Sequence, residues 1–178
     1  MNQDHLYRDQ VFTLPNERMR SFTEMILPYV SPQEPWRILD IGCGTGEQIL
    51  DLAQTLPQAR FTGIDISRPN ITIAEKARQQ SPYRDRLGFV AMDYMCFDEG
   101  CFDLIISSTT LHLIPVPTQQ LFTKIINDLA AAGILAFTMP YACLYNSTLA
   151  LVRRVFRRLR SPLTDELIFS LGKALHRH

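Results

Sequence analysis

The chain has 178 residues, 46% hydrophobic and 20% charged, and its 18 basic and 18 acidic side chains cancel. That length supports one domain with a packed core, and the ordinary composition excludes a low-complexity chain. No run approaches the roughly 18 apolar residues of a membrane span, and the polar opening MNQDHLYRDQ lacks the basic flank and apolar stretch of a signal peptide.

In chain order, Asn16–Val30 predicts a helix with Phe22, Met25, Ile26 and Tyr29 on one face, closed by Pro28 and the Ser31-Pro32 pair. From Trp36 onward, short apolar runs alternate with helical patterns. Trp36–Ile41, Arg60–Asp65, Leu87–Met92, Phe102–Ser107 and Gly133–Met139 read as strands, and most lack the polar alternation of a half-exposed sheet. Between them, three stripes have helical spacing: Ile49, Leu52, Ala53 and Leu56; Ile73, Ala74 and Ala77; Leu121, Ile125, Ile126 and Leu129. Such alternation predicts right-handed crossovers and a parallel sheet with helices on both faces.

After the fifth run, Leu144–Arg160 reads as a basic amphipathic helix and Thr164–His176 as a last helix. Residues 151–178 hold seven Lys/Arg against Asp165 and Glu166, so the rest of the chain carries sixteen acids against eleven bases. An acidic body suits a cationic ligand and disfavours nucleic acid on the main face. The arginine face reads first as solvated helix surface, then as a contact for an acidic partner or a lipid surface. RNA ranks last, because no aromatic platform interleaves with the arginines. Three regions follow: 1–35 as an N-terminal helical cap or lid, to which Tyr7 and Arg18 are candidates; 36–143 as the core; 144–178 as C-terminal helices.

The chemistry concentrates at the strand ends. Ile38-Leu39-Asp40-Ile41-Gly42-Cys43-Gly44-Thr45-Gly46 runs an apolar strand into three alternating glycines and then a helix. Glycines serve where a loop turns sharply and a ligand approaches the backbone, and the helix start behind them offers free N–H groups to an anion. The dinucleotide fingerprint is G-x-G-x-x-G; here the third glycine comes one residue early and Asp40 precedes the first. Asp65 ends the second run, where a carboxylate can accept hydrogen bonds from both hydroxyls of a ribose. The plainer alternative is an Asp opening a turn, with Ser67 capping the next helix ahead of Pro69. Asp93 stands at the end of the third run; an ordinary loop residue is the less common alternative there. Cys43, Cys96, Cys101 and Cys143 match no zinc spacing and need no disulfides, which points to a reducing, cytoplasmic compartment.

Together the glycine string, TGIDIS, VAMDY and FDLIISS followed by Leu111-His112-Leu113 resemble class I S-adenosylmethionine-dependent methyltransferases, above all the small-molecule type, over about residues 36–139. The resemblance implies a Rossmann-like α/β three-layer sandwich with a mostly parallel sheet in order 3-2-1-4-5, and S-adenosyl-L-methionine as cofactor. It places Asp40, Gly42, Cys43, Gly44 and Gly46 around the loop, Asp65 and Ile66 at the ribose, Asp93 and Tyr94 at the adenine, and Ser107 at the fourth strand's end. His112 is the candidate general base for an acceptor that arrives protonated; a structural or pocket-lining histidine is the commoner alternative. Cys43 reads as a packing residue rather than a nucleophile.

The family's antiparallel sixth and seventh strands have no counterpart after Met139. The fifth strand is then an edge that the basic helix, a partner or a second copy would cover. Two alternatives stand beside methyl transfer: a non-catalytic cofactor-binding or partner subunit, and an NAD-dependent oxidoreductase.

Overall fold

A computed structural model describes Val11 and residues 16–140. The chain divides into two compact units, Met1–Met139 and Pro140–His178, and the elements below belong to the first. The expected helices over Leu144–Arg160 and Thr164–His176, like Tyr7, lie outside the described residues. Among the described residues, no helix is long and apolar enough to cross a membrane.

Five parallel strands form one sheet in the order β3-β2-β1-β4-β5: β1 (Arg37–Ile41), β2 (Arg60–Asp65), β3 (Leu87–Ala91), β4 (Phe102–Ser108) and β5 (Leu129–Thr138). Among the described residues, four helices accompany them: α1 (Asn16–Ile26), α2 (Glu47–Thr55), α3 (Arg68–Gln80) and α4 (Thr118–Asp128). The chain steps from β1 outward to β2 and β3, then returns to lay β4 on the other side of β1. Right-handed crossovers in opposite directions put their helices on opposite faces. Accordingly, Ile49, Leu52, Ile71 and Ala74 of α2 and α3 pack with Ile38 and Phe61 on one face. Leu121 and Ile125 of α4 pack with Leu39, Ile41 and Ile105 on the other. Strands covered on both sides need apolar residues at successive positions, which is why these runs do not alternate.

Helix rotation departs from the sequence reading in three places. In α1, Phe22, Ile26 and Val30 face the core, while Met25 and Tyr29 are exposed, Tyr29 at 69%. Pro28 turns the chain into a 3₁₀ turn at Leu27–Tyr29, and the changed phase carries Val30 inward. In α3, Ile71 and Ala74 are buried and Ile73 is exposed, because Asn70 is drawn inward to Asp65. In α4, Ile125 is buried and Ile126 is 66% exposed. Leu129 is not a helical residue: its N–H caps α4 on the Ile125 and Ile126 carbonyls and it opens β5.

Pairing also starts earlier than expected in β5. Phe102 opposes Leu129, but Leu104 opposes Ile134, so the Ala-rich stretch between loops out, with Ala132 at φ 64°. At the other edge of α2, the Arg86 guanidinium donates to the carbonyls of Ala53, Leu56 and Ala59 at 2.8–2.9 Å, satisfying carbonyls that a helix end leaves open.

Gly63, inside β2, is a close-packing position. A Cβ there would lie 2.7 Å from Ile49 Cδ1, 2.7 Å from Phe89 Cδ1 and 2.9 Å from Cys43 Sγ. At Gly88 on β3 the nearest atom would be 3.9 Å away. Gly63→Ala should therefore cost about 1–3 kcal/mol by overpacking, while Gly88→Ala stays within about 0.5 kcal/mol. Urea unfolding midpoints check this, and equal midpoints for the two variants would refute the packing account.

Candidate functional site

The strand order reverses between β1 and β4, and open α/β sheets bind ligands beyond the strand ends at such a point. Here the loop after β1 meets the loop after β4. Gly42 has φ 78° and Gly46 φ 84°, the left-handed region that side chains resist. A Cβ on Gly42 would overlap the Thr110 side chain, and one on Gly46 would lie 2.7 Å from Phe89 Cζ. Protein neighbours, and not only a ligand, thus demand glycine at both positions. Backbone bonds hold the loop in place: Gly42 and Cys43 both donate to the Ile64 carbonyl at 2.8 and 3.0 Å, and Gly46 donates to the Cys43 carbonyl at 3.0 Å.

Asp65, at the end of β2, ties this loop to the start of α3. Its Oδ2 accepts from Gly44 N–H at 2.9 Å and from Asn70 Nδ2 at 3.4 Å, and its Oδ1 accepts from Ser67 N–H at 2.8 Å. Ser67 also caps α3, as the plainer sequence reading expects, accepting from Asn70 N–H, with Pro69 in the first turn. The two readings of this segment coexist: the Asp builds the turn and still stands at the strand end. Ile66 is half-buried between them.

Asp40 lies in the middle of the sheet, opposite Gly63 on β2 and Ile106 on β4. It is 3% exposed, and among the described residues its carboxyl has no hydrogen-bond partner. Burial, and then the nearby Asp65 carboxylate, raise its pKa to about 8. Burial first, then the neighbouring Asp40 and Asp65 carboxylates, push the Cys43 thiol well above its ordinary value. It stays protonated and donates weakly to the Gly44 carbonyl at 3.7 Å, which suits packing rather than nucleophilic attack.

At the end of β3, Asp93 Oδ1 accepts from Met95 N–H at 2.9 Å and caps a 3₁₀ turn at Tyr94–Cys96. Met92 N–H donates to the Asp65 carbonyl at 3.0 Å, so the two acids are linked through backbone. Two side chains expected at the cofactor stand in the core instead. Ser107 is fully buried, and its hydroxyl donates across the sheet to the Ile41 carbonyl at 2.8 Å. Tyr94 is 4% exposed, and its hydroxyl donates to Asp128 Oδ2 at 2.8 Å. In each case a buried hydroxyl must be paired: Ser107 on the carbonyl just before Gly42, Tyr94 on the far end of α4.

His112 sits in a 3₁₀ turn, Leu111–Leu113, beyond a strained residue, Thr109, at φ 56°. A β-branched residue in that region is an outlier of the kind that clusters at functional loops. The imidazole is exposed; the burial it does have lowers its pKa, which favours the neutral, proton-accepting form. Three partnerships have no signature in the sequence: Thr110 against Gly42, Asn70 on Asp65, and the link from α1 to α2. In the last, Gln48 Nε2 donates to Thr23 Oγ1 at 2.8 Å and Thr23 donates to Asp51 Oδ2 at 2.7 Å.

Among the described residues, no cluster of His, Cys, Asp and Glu could hold a metal ion. What the geometry offers is a glycine turn and three carboxyl groups, Asp40, Asp65 and Asp93, at adjacent strand ends. That arrangement can receive a ligand rich in hydrogen-bond donors with a positive charge.

The profile of the methyltransferase domain family matches residues 38–133. Over 122 residues the chain is 34% identical to a trans-aconitate 2-methyltransferase of Deinococcus radiodurans, covering 68% of this chain and 45% of that one. It is 32% identical over 125 residues to a tRNA1(Val) (adenine(37)-N6)-methyltransferase of Vibrio cholerae, covering 61% of this chain and 52% of that one. Among solved structures, a SAM-dependent methyltransferase from Geobacter sulfurreducens in complex with S-adenosyl-L-homocysteine superposes with a TM-score of 0.59 at 17% identity, covering 76% of this chain and 54% of that one. The chain spans about half the length of the curated relatives it matches.

The buried Asp40 carboxyl makes stability depend on pH. Its pKa in the fold is about 8 against 3.8 for a free side chain, so between these values the fold holds a proton that the unfolded chain has released. The contribution of Asp40 to the stability of the ligand-free chain should therefore fall as pH rises from about 4 to about 8 and level off above. Asp40→Asn should melt several degrees above wild type at about pH 8, and the gap should close towards about pH 4. A gap independent of pH in thermal-shift measurements would contradict the burial of an uncompensated carboxyl.

Proposed function

The chain belongs to the methyltransferase domain family, and from that premise we propose that it binds S-adenosyl-L-methionine beyond the ends of β1, β2 and β3 and methylates a small-molecule acceptor. The observation that carries this reading is the left-handed glycine turn clamped by Asp65, with the buried Asp40 carboxyl beside it. A buried carboxyl without a hydrogen bond is completed by a cationic or N–H-donating group, and the cofactor carries both.

In this reading the loop at Gly42, Cys43, Gly44 and Gly46 receives the amino-acid end of the cofactor near Asp40. Asp65, with Ile66 beside it, takes the ribose hydroxyls, and Asp93 takes the adenine amino group. When bound, the cofactor supplies a methyl group made electrophilic by its sulfonium. The chain's own residues then have to orient an acceptor in line and exclude water. His112, neutral near pH 7 because its pKa is lowered, would accept the proton of an acceptor that arrives protonated. A small acceptor is supported by the acidic surplus of residues 1–150, which disfavours a phosphate backbone, and by the relative named for trans-aconitate. The early third glycine argues against a dinucleotide.

Isothermal titration calorimetry with S-adenosylmethionine, S-adenosylhomocysteine and NAD tests the cofactor assignment. The first two should bind in the micromolar range and NAD not at all; no binding by a folded chain would end the reading. In the same titration, Asp65→Ala should weaken S-adenosylmethionine by about 1–3 kcal/mol. It should also lower the urea midpoint of the ligand-free chain, since Gly44 and Ser67 lose their acceptor. Unchanged affinity in a folded variant would remove Asp65 from the site.

A base role for His112 predicts that His112→Ala lowers kcat by about 10²–10⁴-fold and leaves cofactor affinity intact. In wild type the rate should rise with pH through a pKa below 6.5 and then plateau. A variant with wild-type kcat would reduce His112 to a lining residue.

A further inference from the structure

The turn that follows β3 is fastened to α4 at both of its ends. At the start, the Tyr94 hydroxyl donates to Asp128 Oδ2 at 2.8 Å. At the finish, Lys124 Nζ donates to the Phe97 carbonyl at 2.7 Å. The two helix residues are joined to each other, with Lys124 Nζ 3.2 and 3.0 Å from Asp128 Oδ1 and Oδ2. The same ammonium lies 4.9 Å from the centre of the Tyr94 ring. These are sheltered contacts: the Lys124 and Asp128 side chains are 17% and 14% exposed. Within the turn, Cys96 N–H donates to the Asp93 carbonyl and Phe97 N–H to the Tyr94 carbonyl, at 3.0 and 3.1 Å.

Apolar side chains would hold a helix against this turn without taking any charge from water. A sheltered Lys–Asp–Tyr network gains little net stability for that desolvation, but it fixes direction, because each bond has a preferred geometry. Asp93 stands immediately before Tyr94, at the start of the turn that this network fastens. Asp93 spends Oδ1 on Met95 N–H, and among the described residues its Oδ2 has no hydrogen-bond partner. On the other side, Met92 N–H ties the strand end to the Asp65 carbonyl. The Asp93 carboxylate is thus located from both flanks, by backbone on one and by the α4 network on the other.

We propose that Lys124, Asp128 and Tyr94 are positioning residues that aim Asp93 at the exocyclic amino group of the bound purine, setting a preference for adenine over a purine with oxygen at that position. The proposal rests on the assignment of Asp93 to the adenine. A carboxylate pairs with an amino donor, whereas a carbonyl in its place sets two acceptors face to face and leaves both unpaired. That discrimination depends on the carboxylate being held where it cannot swing away, and holding it there is what the network does.

The test compares S-adenosylhomocysteine with S-inosylhomocysteine, in which the amino group is replaced by oxygen, on the full chain by calorimetry. Wild type should favour the adenosyl ligand by at least about tenfold, the equivalent of about 1.4 kcal/mol. Tyr94→Phe and Lys124→Met, separately, should shrink that ratio to about threefold or less, chiefly through loss of adenosyl affinity, in variants that circular dichroism shows to be folded. A merely structural network would weaken both ligands alike, so an unchanged ratio in either folded variant would overturn the proposal. If Tyr94→Phe does not fold, Lys124→Met decides alone. A wild-type ratio near one would instead refute the Asp93 assignment and the proposal with it, and a wild type that binds neither ligand would refute the cofactor reading beneath both.

Discussion

Both oxygens of the Asp65 carboxylate accept hydrogen bonds from the chain around them, and much of the site's order depends on those bonds. Gly44 N–H comes from the loop after β1 and Ser67 N–H from the loop after β2, so one side chain sets the separation of two strand ends. The Asn70 amide joins the same carboxylate and turns α3 to the rotation it adopts. Because the acceptor is a carboxylate, the two bonds from backbone N–H groups are among the stronger hydrogen bonds available to a protein. The glycine turn can therefore keep its left-handed geometry in the free chain, and a ligand that binds there does not have to order it.

That preorganisation has an electrostatic cost nearby. Asp40 lies in the centre of a sheet covered on both faces, and Asp65 is close enough to disfavour a second negative charge. In the free chain Asp40 holds a proton at neutral pH. A cation beside it would reverse the balance, so the same burial that weakens the free fold strengthens the answer to a positively charged ligand. Perturbed carboxyls of this kind gather at functional sites, and this one stands two residues before the first glycine of the loop.

On the far side of the strand-order reversal, the loop after β4 packs Thr110 onto Gly42 and carries Thr109 in a conformation that its branched side chain resists. This loop leads through His112 into α4, and α4 ends on the residues that fasten the turn after β3. The region that would face an acceptor and the region that would face the purine are thus continuous through a single helix. Mechanical continuity of this sort comes from connection order and packing, without any long-range signal being needed.

The sequence by itself determined the sheet and the edge at which its glycine turn and acids gather. Five short apolar runs separated by helical stripes admit few arrangements once crossovers must be right-handed, and Ile38–Gly46, Asp65 and Asp93 mark the strand ends because strand, glycine and acid follow one another locally. Only the tertiary structure decided which way the helices turn. Periodicity allows Met25, Ile73 and Ile126 on the inner face, but a proline-tightened turn, an inward Asn70 and a strand beginning at Leu129 turn all three outward. The tertiary structure also decided the tasks of Ser107 and Tyr94, whose hydroxyls bond residues 66 and 34 positions away. A motif records which residues stand next to one another along the chain. The partner of a buried polar atom, and the charge state of a carboxyl such as Asp40, depend on what folding brings beside it and how much water it removes.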